Sequence, residues 1–448
     1  MMFVRQFSIA TLIIGVLFAG RHASAQSVTL EGTTMGVIGF KVKVASDELS
    51  PETIETIKTR INAALQRVNQ LMSTYLDESD ISKFNRSNST DWQKVDAETA
   101  TVMQRALEIC KLTEGAFDPT VGPAVNAWHF GPGKKQQPEP PTADQIKAIS
   151  QSVGFEHIEI KLDPPALRKS IPALQLDLSA IAKGYAVDRV GETLHSLGFE
   201  NFMVVVGGEV YTGGQRDGGG PWNVAVEKPD TRPGSNRPKP GDEKELQQVV
   251  QISDRAIATS GDYRNYFEHD GQRYSHSIDP ATCRPVTHGM AVASVVADDC
   301  MSADALATAV MVMGHEKGAD LCQRLGYPLL TIHRGEDGSF VEQISEDFPL
   351  SAAHGSLVKK VSKPEPETKK EPGEEDSGQS ILPVFAATFV IFCLVILGMA
   401  VGAIFNNKPV TGSCGGLANM TNEDGESVCG ICSKPTTDCI EQTNEAAV

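Results

Sequence analysis

Asp304 and Thr308 lie four residues apart in a stretch, residues 301–313, that reads as a helix, so their side chains share one face. A carboxylate and a hydroxyl placed this way can hold a hard cation such as Mg2+ through oxygen. The same spacing also suits an exposed Asp beside a Thr that packs its methyl. Ala303, Ala305, Ala307 and Ala309 surround the pair and allow another backbone or a ligand to come close. A second group lies in Asp177-Leu178-Ser179-Ala180-Ile181-Ala182-Lys183-Gly184, after a strand-like stretch at residues 173–176 and before a helix. Backbone NH groups at such a turn can meet phosphate, and Lys183 adds a cation, although many α/β turns look alike. Gly207-Gly208-Glu209 either lets a backbone lie flat against a planar ligand, since glycine has no Cβ, or is a plain turn after a strand. His276, between Ser275 and Ser277, reads as a structural histidine or as a solvent-accessible base.

These groups need elements to hold them. Ser50 and Pro51 form a helix start, and Ile54, Ile57, Ile61, Leu65, Val68 and Met72 then recur at helical spacing. Residues 97–112 read as a second helix. Residues 202–206 and 291–297 are short apolar strands; the first stops at Gly207-Gly208 and the second runs into the helix of Asp304. Residues 131–141 and 230–241, rich in Gly and Pro, read as surface loops.

Further segments join these: Glu31-Gly32-Thr33-Thr34-Met35-Gly36, Met72-Ser73-Thr74-Tyr75, Asp80-Ile81-Ser82-Lys83-Phe84-Asn85, Gly115-Ala116-Phe117-Asp118-Pro119-Thr120, Ala258-Thr259-Ser260-Gly261-Asp262-Tyr263-Arg264, Ser275-His276-Ser277-Ile278-Asp279-Pro280 and Ala303-Asp304-Ala305-Leu306-Ala307-Thr308. In this order they resemble the ApbE family of FAD:protein FMN transferases over residues 28–345. The resemblance implies an α+β, T-fold-like domain in two parts with FAD between them. It implies FAD contacts from Met35, Tyr75, Ala116, Phe117, Asp118, Asp177, Lys183 and Ile278. It also implies Mg2+ held by the Ala180 carbonyl and the side chains of Asp304 and Thr308. The activity implied is Mg2+-dependent transfer of FMN from FAD to a Thr or Ser hydroxyl of a target protein, with release of AMP. The two phosphates of FAD repel an oxygen nucleophile, so charge neutralisation and positioning dominate the expected chemistry. Asp304 and His276 are the expected catalytic residues, with His276 as the base. The rivals are a periplasmic Mg2+-dependent FAD pyrophosphatase, in which water replaces the protein hydroxyl, and a scaffold that only stores FAD.

The ends of the chain carry separate signals. Arg5, an apolar stretch at residues 7–20 and Ala23-Ser24-Ala25 read as a signal peptide over residues 1–25. The expected folded domain covers residues 28–350, followed by a flexible charged linker at 355–380. Residues 381–405 hold no charge and are long enough to cross a bilayer. A cytoplasmic Cys-rich tail would then occupy residues 406–448, with the folded domain in the periplasm and a single span in the bacterial inner membrane. Residues 383–440 resemble NqrM, a maturation factor of the Na+-translocating NADH:quinone reductase, on Gly398-Met399-Ala400-Val401-Gly402, Lys408-Pro409-Val410-Thr411-Gly412-Ser413-Cys414-Gly415-Gly416-Leu417 and Cys429-Gly430-Ile431-Cys432. Cys414, Cys429, Cys432 and Cys439 are the expected Fe or Zn ligands. Both resemblances point to flavin-carrying subunits of that reductase, or of the related Rnf complex, as partners. The net charge of −17 argues against nucleic acid, which needs clustered Lys and Arg.

Overall fold

Ser50 accepts a hydrogen bond from Thr53 N at 3.1 Å and starts the helix Pro51–Met72. Ile57, Ile61, Leu65, Val68, Leu71 and Met72 face the core, while Ile54 is only partly covered. Asp96 caps the helix Ala97–Leu112. Asp299 caps the helix Cys300–Met313 by accepting from Ser302 N at 2.7 Å. These observations come from a computed structural model that describes residues 26–132, 138–229, 246–263, 265–335 and 339–351.

An eight-stranded sheet holds the site. Its order in space is Gln26–Thr34, Ile38–Ser46, Phe202–Val206, Glu209–Gly213, Arg255–Gly261, Met290–Ala297, Leu329–Arg334 and Phe340–Ile344. Every neighbouring pair is antiparallel. The helices Ala182–Ser196 and Cys300–Met313 cover one face, and Pro51–Met72 and Ala97–Leu112 pack outside them. The other face is covered by a ribbon of Trp222–Glu227 and Leu246–Ile252, whose Val224, Val226, Val250 and Ile252 pack on Val210, Ile257, Val292 and Val296. Met290–Ala297 is buried at every residue. Ala293, Val295 and Ala297 join the helix-side core, and Val292 and Val296 the ribbon-side core. That two-sided burial explains why this strand is apolar at every position but Ser294, whose Oγ lies 2.8 Å from Thr259 Oγ1, instead of alternating.

The strand expected at residues 173–176 does not form. Only Gln175 makes a single bridge, to Val121, and the preceding strand is Pro165–Lys169. Two contacts from the helix Asp80–Arg86 replace a ladder there. Asn85 Nδ2 donates to Leu176 O at 2.8 Å, and Leu176 N donates to Asn85 Oδ1 at 2.7 Å. The four cysteines of the described domain, Cys110, Cys283, Cys300 and Cys322, are free and buried. Among the described residues no helix is long and apolar enough to cross a membrane. The signal peptide, linker, apolar span and Cys-rich tail, together with the loop at 230–241, lie outside the described residues.

Helix Ala182–Ser196 meets the start of Cys300–Met313 through Gly184. A Cβ at Gly184 would drive into the Cys300 carbonyl oxygen and press on Met301 Cα at 2.8 Å. Both are backbone atoms that cannot swing aside. Gly184→Ala should therefore destabilise the domain by about 1–3 kcal/mol, read as a lowered urea midpoint. An unchanged midpoint would show that the two helices do not meet this closely.

Candidate active site

Lys183 stands in the first turn of Ala182–Ser196 and reaches across to Cys300–Met313. Its Nζ donates to Asp304 Oδ1 at 2.9 Å and Oδ2 at 3.1 Å. It lies 3.2 Å from Glu209 Oε1 and donates to Ser179 O at 3.2 Å. Asp304 and Glu209 are 1% and 3% exposed, so two buried carboxylates meet an ammonium whose side chain keeps 25% of its surface exposed. Burial opposes the Lys183 charge, but the two carboxylates overcome it and hold its pKa above the ordinary lysine value. Burial pushes the Glu209 carboxyl up, against the pull of Lys183. Gly184 N also donates to Asp304 Oδ2 at 3.0 Å. That NH, expected to be available to phosphate, is thus already engaged.

Asp304 and Thr308 do share a helix face, and Thr308 Oγ1 lies 3.2 Å from Ser260 Oγ. The donor set fits a hard divalent cation on two grounds. Two buried carboxylates face one ammonium, which leaves negative charge in excess once Glu209 is ionised. Glu209 Oε2 is also buried with no hydrogen-bond partner among the described residues.

The turn from Asp177 to Lys183 links this cluster to a second cavity. Asp177 Oδ1 accepts from Ser179 N at 2.8 Å, and Asp177 N donates to Pro119 O at 2.7 Å. A cavity of about 220 Å3 lies beside it, lined by Thr74, Asn85, Asn126, Gln175 and Asp177. Tyr75, exposed at 65%, stands next to Thr74. Partial burial of its hydroxyl and then the Asp177 charge raise its pKa. Asp177 thus lies on a polar crevice and close enough to Tyr75 for its charge to act on the phenol.

The other expected residues are placed differently. Phe117 is 3% exposed and packs in the main core, with Ala116 against it. The Asp118 carboxylate is turned inward, accepting from Thr120 N and Oγ1 and from Phe155 N. These two side chains brace the loop rather than line its surface. Met35 occupies the turn between the first two strands with φ +48°. Ile278 is 6% exposed, in a small apolar cluster with Trp128 and Phe130. His276 Nδ1 lies 3.1 Å from Asn265 O, and its ring meets Phe130 edge-on. A donating Nδ1–H there makes Nε2 the basic nitrogen.

Three residues were not anticipated as site residues. Glu209 was read only as the end of a glycine turn. Ser260 is the hydroxyl partner of Thr308. Lys169 is fully buried, and its Nζ donates to Leu174 O at 2.8 Å and Phe84 O at 3.3 Å. It ties the segment leading to Asp177 onto the helix Asp80–Arg86. Glu209 and Ser260 lay in the Gly-Gly-Glu run and the Ala258–Arg264 segment, while Lys169 carried no signal in the sequence.

Residues 33–330 match the model of the ApbE family, and residues 403–447 match that of (Na+)-NQR maturation NqrM. The FAD:protein FMN transferase of Vibrio cholerae serotype O1 is 42% identical, over 74% of this chain and 95% of that protein. That of Haemophilus influenzae is 36% identical, over 75% and 96%. Among solved structures, the flavin transferase ApbE from Vibrio cholerae superposes with a TM-score of 0.64 at 40% identity, covering 72% of this chain and 98% of that one. The apo flavinyl transferase ApbE of Pseudomonas stutzeri gives 0.63 at 32% identity, covering 72% and 95%.

Burial pushes the Lys169 pKa down to about 8. Its native value then lies below its unfolded one, so above pH 8 the unfolded chain binds the extra proton. Stability should rise with pH from about 8 toward the ordinary lysine value near 10.4. Lys169→Met should flatten that part of the urea-midpoint profile. An equally steep rise in the variant would assign the effect to other groups.

Proposed function

We propose the finer chemistry from a plain premise: the chain belongs to the ApbE family and is an FAD:protein FMN transferase. The buried cluster of Lys183, Asp304 and Glu209 carries the reading, because it gathers fixed charge where a pyrophosphate must be neutralised. The crevice beside Tyr75 and Asp177 takes the nucleotide, and the turn from Asp177 to Lys183 leads its phosphates to the cluster. The Ala180 carbonyl and the side chains of Asp304 and Thr308 would hold Mg2+, which would supply charge neutralisation at the pyrophosphate.

The acceptor Thr or Ser oxygen bonds to the phosphorus on the riboflavin side of FAD. The bond from that phosphorus to the bridging oxygen breaks, and AMP leaves with the electron pair. His276 accepts the hydroxyl proton at Nε2, its ring held by the Asn265 carbonyl. Lys183 stays protonated throughout and holds Asp304 in position.

The resemblance of residues 403–447 to NqrM supports flavin-carrying subunits of a Na+-translocating NADH:quinone reductase as acceptors, with the Rnf complex as the related case. The signal peptide and the apolar run at 381–405 support a periplasmic transferase domain on a single membrane span. Cys414, Cys429, Cys432 and Cys439 would then deliver Fe, or bind Zn, on the cytoplasmic side.

Incubation with FAD, Mg2+ and a deflavinated acceptor subunit should give covalent flavin fluorescence on the subunit. Free FMN without labelled protein would instead make the chain a pyrophosphatase. His276→Ala should slow transfer by roughly 10²–10⁴-fold while FAD binding holds; normal transfer would remove the histidine from its role. Asp304→Ala should abolish the Mg2+-dependent reaction, and an undiminished response to Mg2+ would refute the metal assignment.

A further inference from the structure

The hairpin that leads into His276, formed by Tyr266–His269 and Gln272–Ser275, pairs with no other strand among the described residues. A two-stranded ribbon is marginally stable alone, so side chains must hold it in place. Rings hold one of its faces: Tyr274 stacks on Phe267 with centroids 5.1 Å apart and meets Trp128 at 5.2 Å. Arg273, next to Tyr274 along the strand, belongs to the opposite face. Its guanidinium lies over the Tyr266 ring at 3.9 Å, and its Nη2 donates to Asp262 O at 2.8 Å.

Asp262 directly follows the sheet strand Arg255–Gly261 and is buried. Its N donates to Ala291 O at 3.1 Å. Its carboxylate accepts from Arg334 Nη1 at 2.8 Å and from Arg334 Nη2 at 3.0 Å. Arg273 Nη2 stands 3.9 Å from the same carboxylate. A two-point pair of arginine with carboxylate fixes geometry as well as charge. Asp262 is thus pinned to two strands of the sheet and takes the hairpin on its carbonyl. Two residues before it, Ser260 meets Thr308 on the helix of Asp304. Three residues after it, Asn265 O accepts from His276 N at 3.1 Å and lies 3.1 Å from His276 Nδ1. One short segment therefore sets both the Thr308 hydroxyl and the direction of the imidazole.

We propose that Asp262 is a positioning residue for the transfer: its pair with Arg334 and its carbonyl contact with Arg273 aim the His276 ring at the acceptor hydroxyl. The inference rests on the reading of His276 as the base. Asp262 acts through that ring and takes no proton itself. Misplacing a reacting group by about 1 Å costs on the order of 10²-fold in rate, so the clamp bears on kcat and not on binding.

The full-length chain is assayed with FAD, Mg2+ and the deflavinated flavin-carrying subunit of a Na+-translocating NADH:quinone reductase, reading covalent flavin fluorescence on the subunit. Asp262→Asn keeps the side-chain shape and removes the charge that grips Arg334. Arg273→Met releases the hairpin while Asp262 stays paired with Arg334. Each should lower kcat by about 10–100-fold, with KM for the subunit and Kd for FAD at their wild-type values. Intact FAD binding confirms folding, and two variants are used so that misfolding of one leaves the other to decide. In the His276→Ala background neither change should slow the residual transfer further, because no ring is left to aim. Wild-type kcat in a folded variant overturns the positioning role. An equal fold-loss in the absence of His276 also overturns it, since that marks a purely structural contact. Normal transfer by His276→Ala alone removes the base, and this inference with it, but leaves FMN transfer standing. No covalent flavin from the wild-type chain overturns the transferase reading as well.

Discussion

The ammonium of Lys183 sits between the buried carboxylates of Asp304 and Glu209, and there each charge depends on the others. Breaking a buried ion group by removing one partner strands the rest in a medium that solvates them poorly. The three residues come from a helix start, a strand start and a second helix, so their mutual attraction also fixes how those elements meet. Gly184 makes the arrangement possible twice over. It lets the two helices touch, and its NH helps hold the Asp304 carboxylate. The same tight fit that places the charges thus denies the site any slack.

Around this centre the support is layered. Asn85 and Lys169 secure the irregular segment at 174–176 with side-chain bonds, since no strand secures it with a ladder. Lys169 meets two carbonyl oxygens and no carboxylate at hydrogen-bonding distance, an arrangement that costs desolvation and accounts for its depressed pKa. Asp118 does similar service for the neighbouring loop through Thr120 and Phe155.

Much of this was legible in the residues. The helix Ala97–Leu112 and the strand Phe202–Val206 fall where their patterns put them, because capping residues and Gly-Gly mark their ends locally. Asp304 and Thr308 share a face because the helical period alone dictates it. Residues 173–176 misled, since a short apolar run looks the same whether it pairs with a strand or is pinned by distant side chains. Glu209 was missed as a functional group because its meaning comes from Lys183, 26 positions earlier, and Asp304, 95 later. Lys169 gave no sign, as a lysine in an ordinary strand pattern is normally solvated. Apolar spacing reports burial well, but it does not report which buried charges will find each other.

The order of strands in the sheet has a kinetic consequence. Ile38–Ser46 waits for Phe202–Val206, and the sheet closes only with Phe340–Ile344. Loop closure over such distances is entropically costly and slow, so the chain must remain open until nearly the whole domain has been synthesised. Asp304 arrives late in the chain, so the ion cluster stays incomplete until the helix Cys300–Met313 has been made.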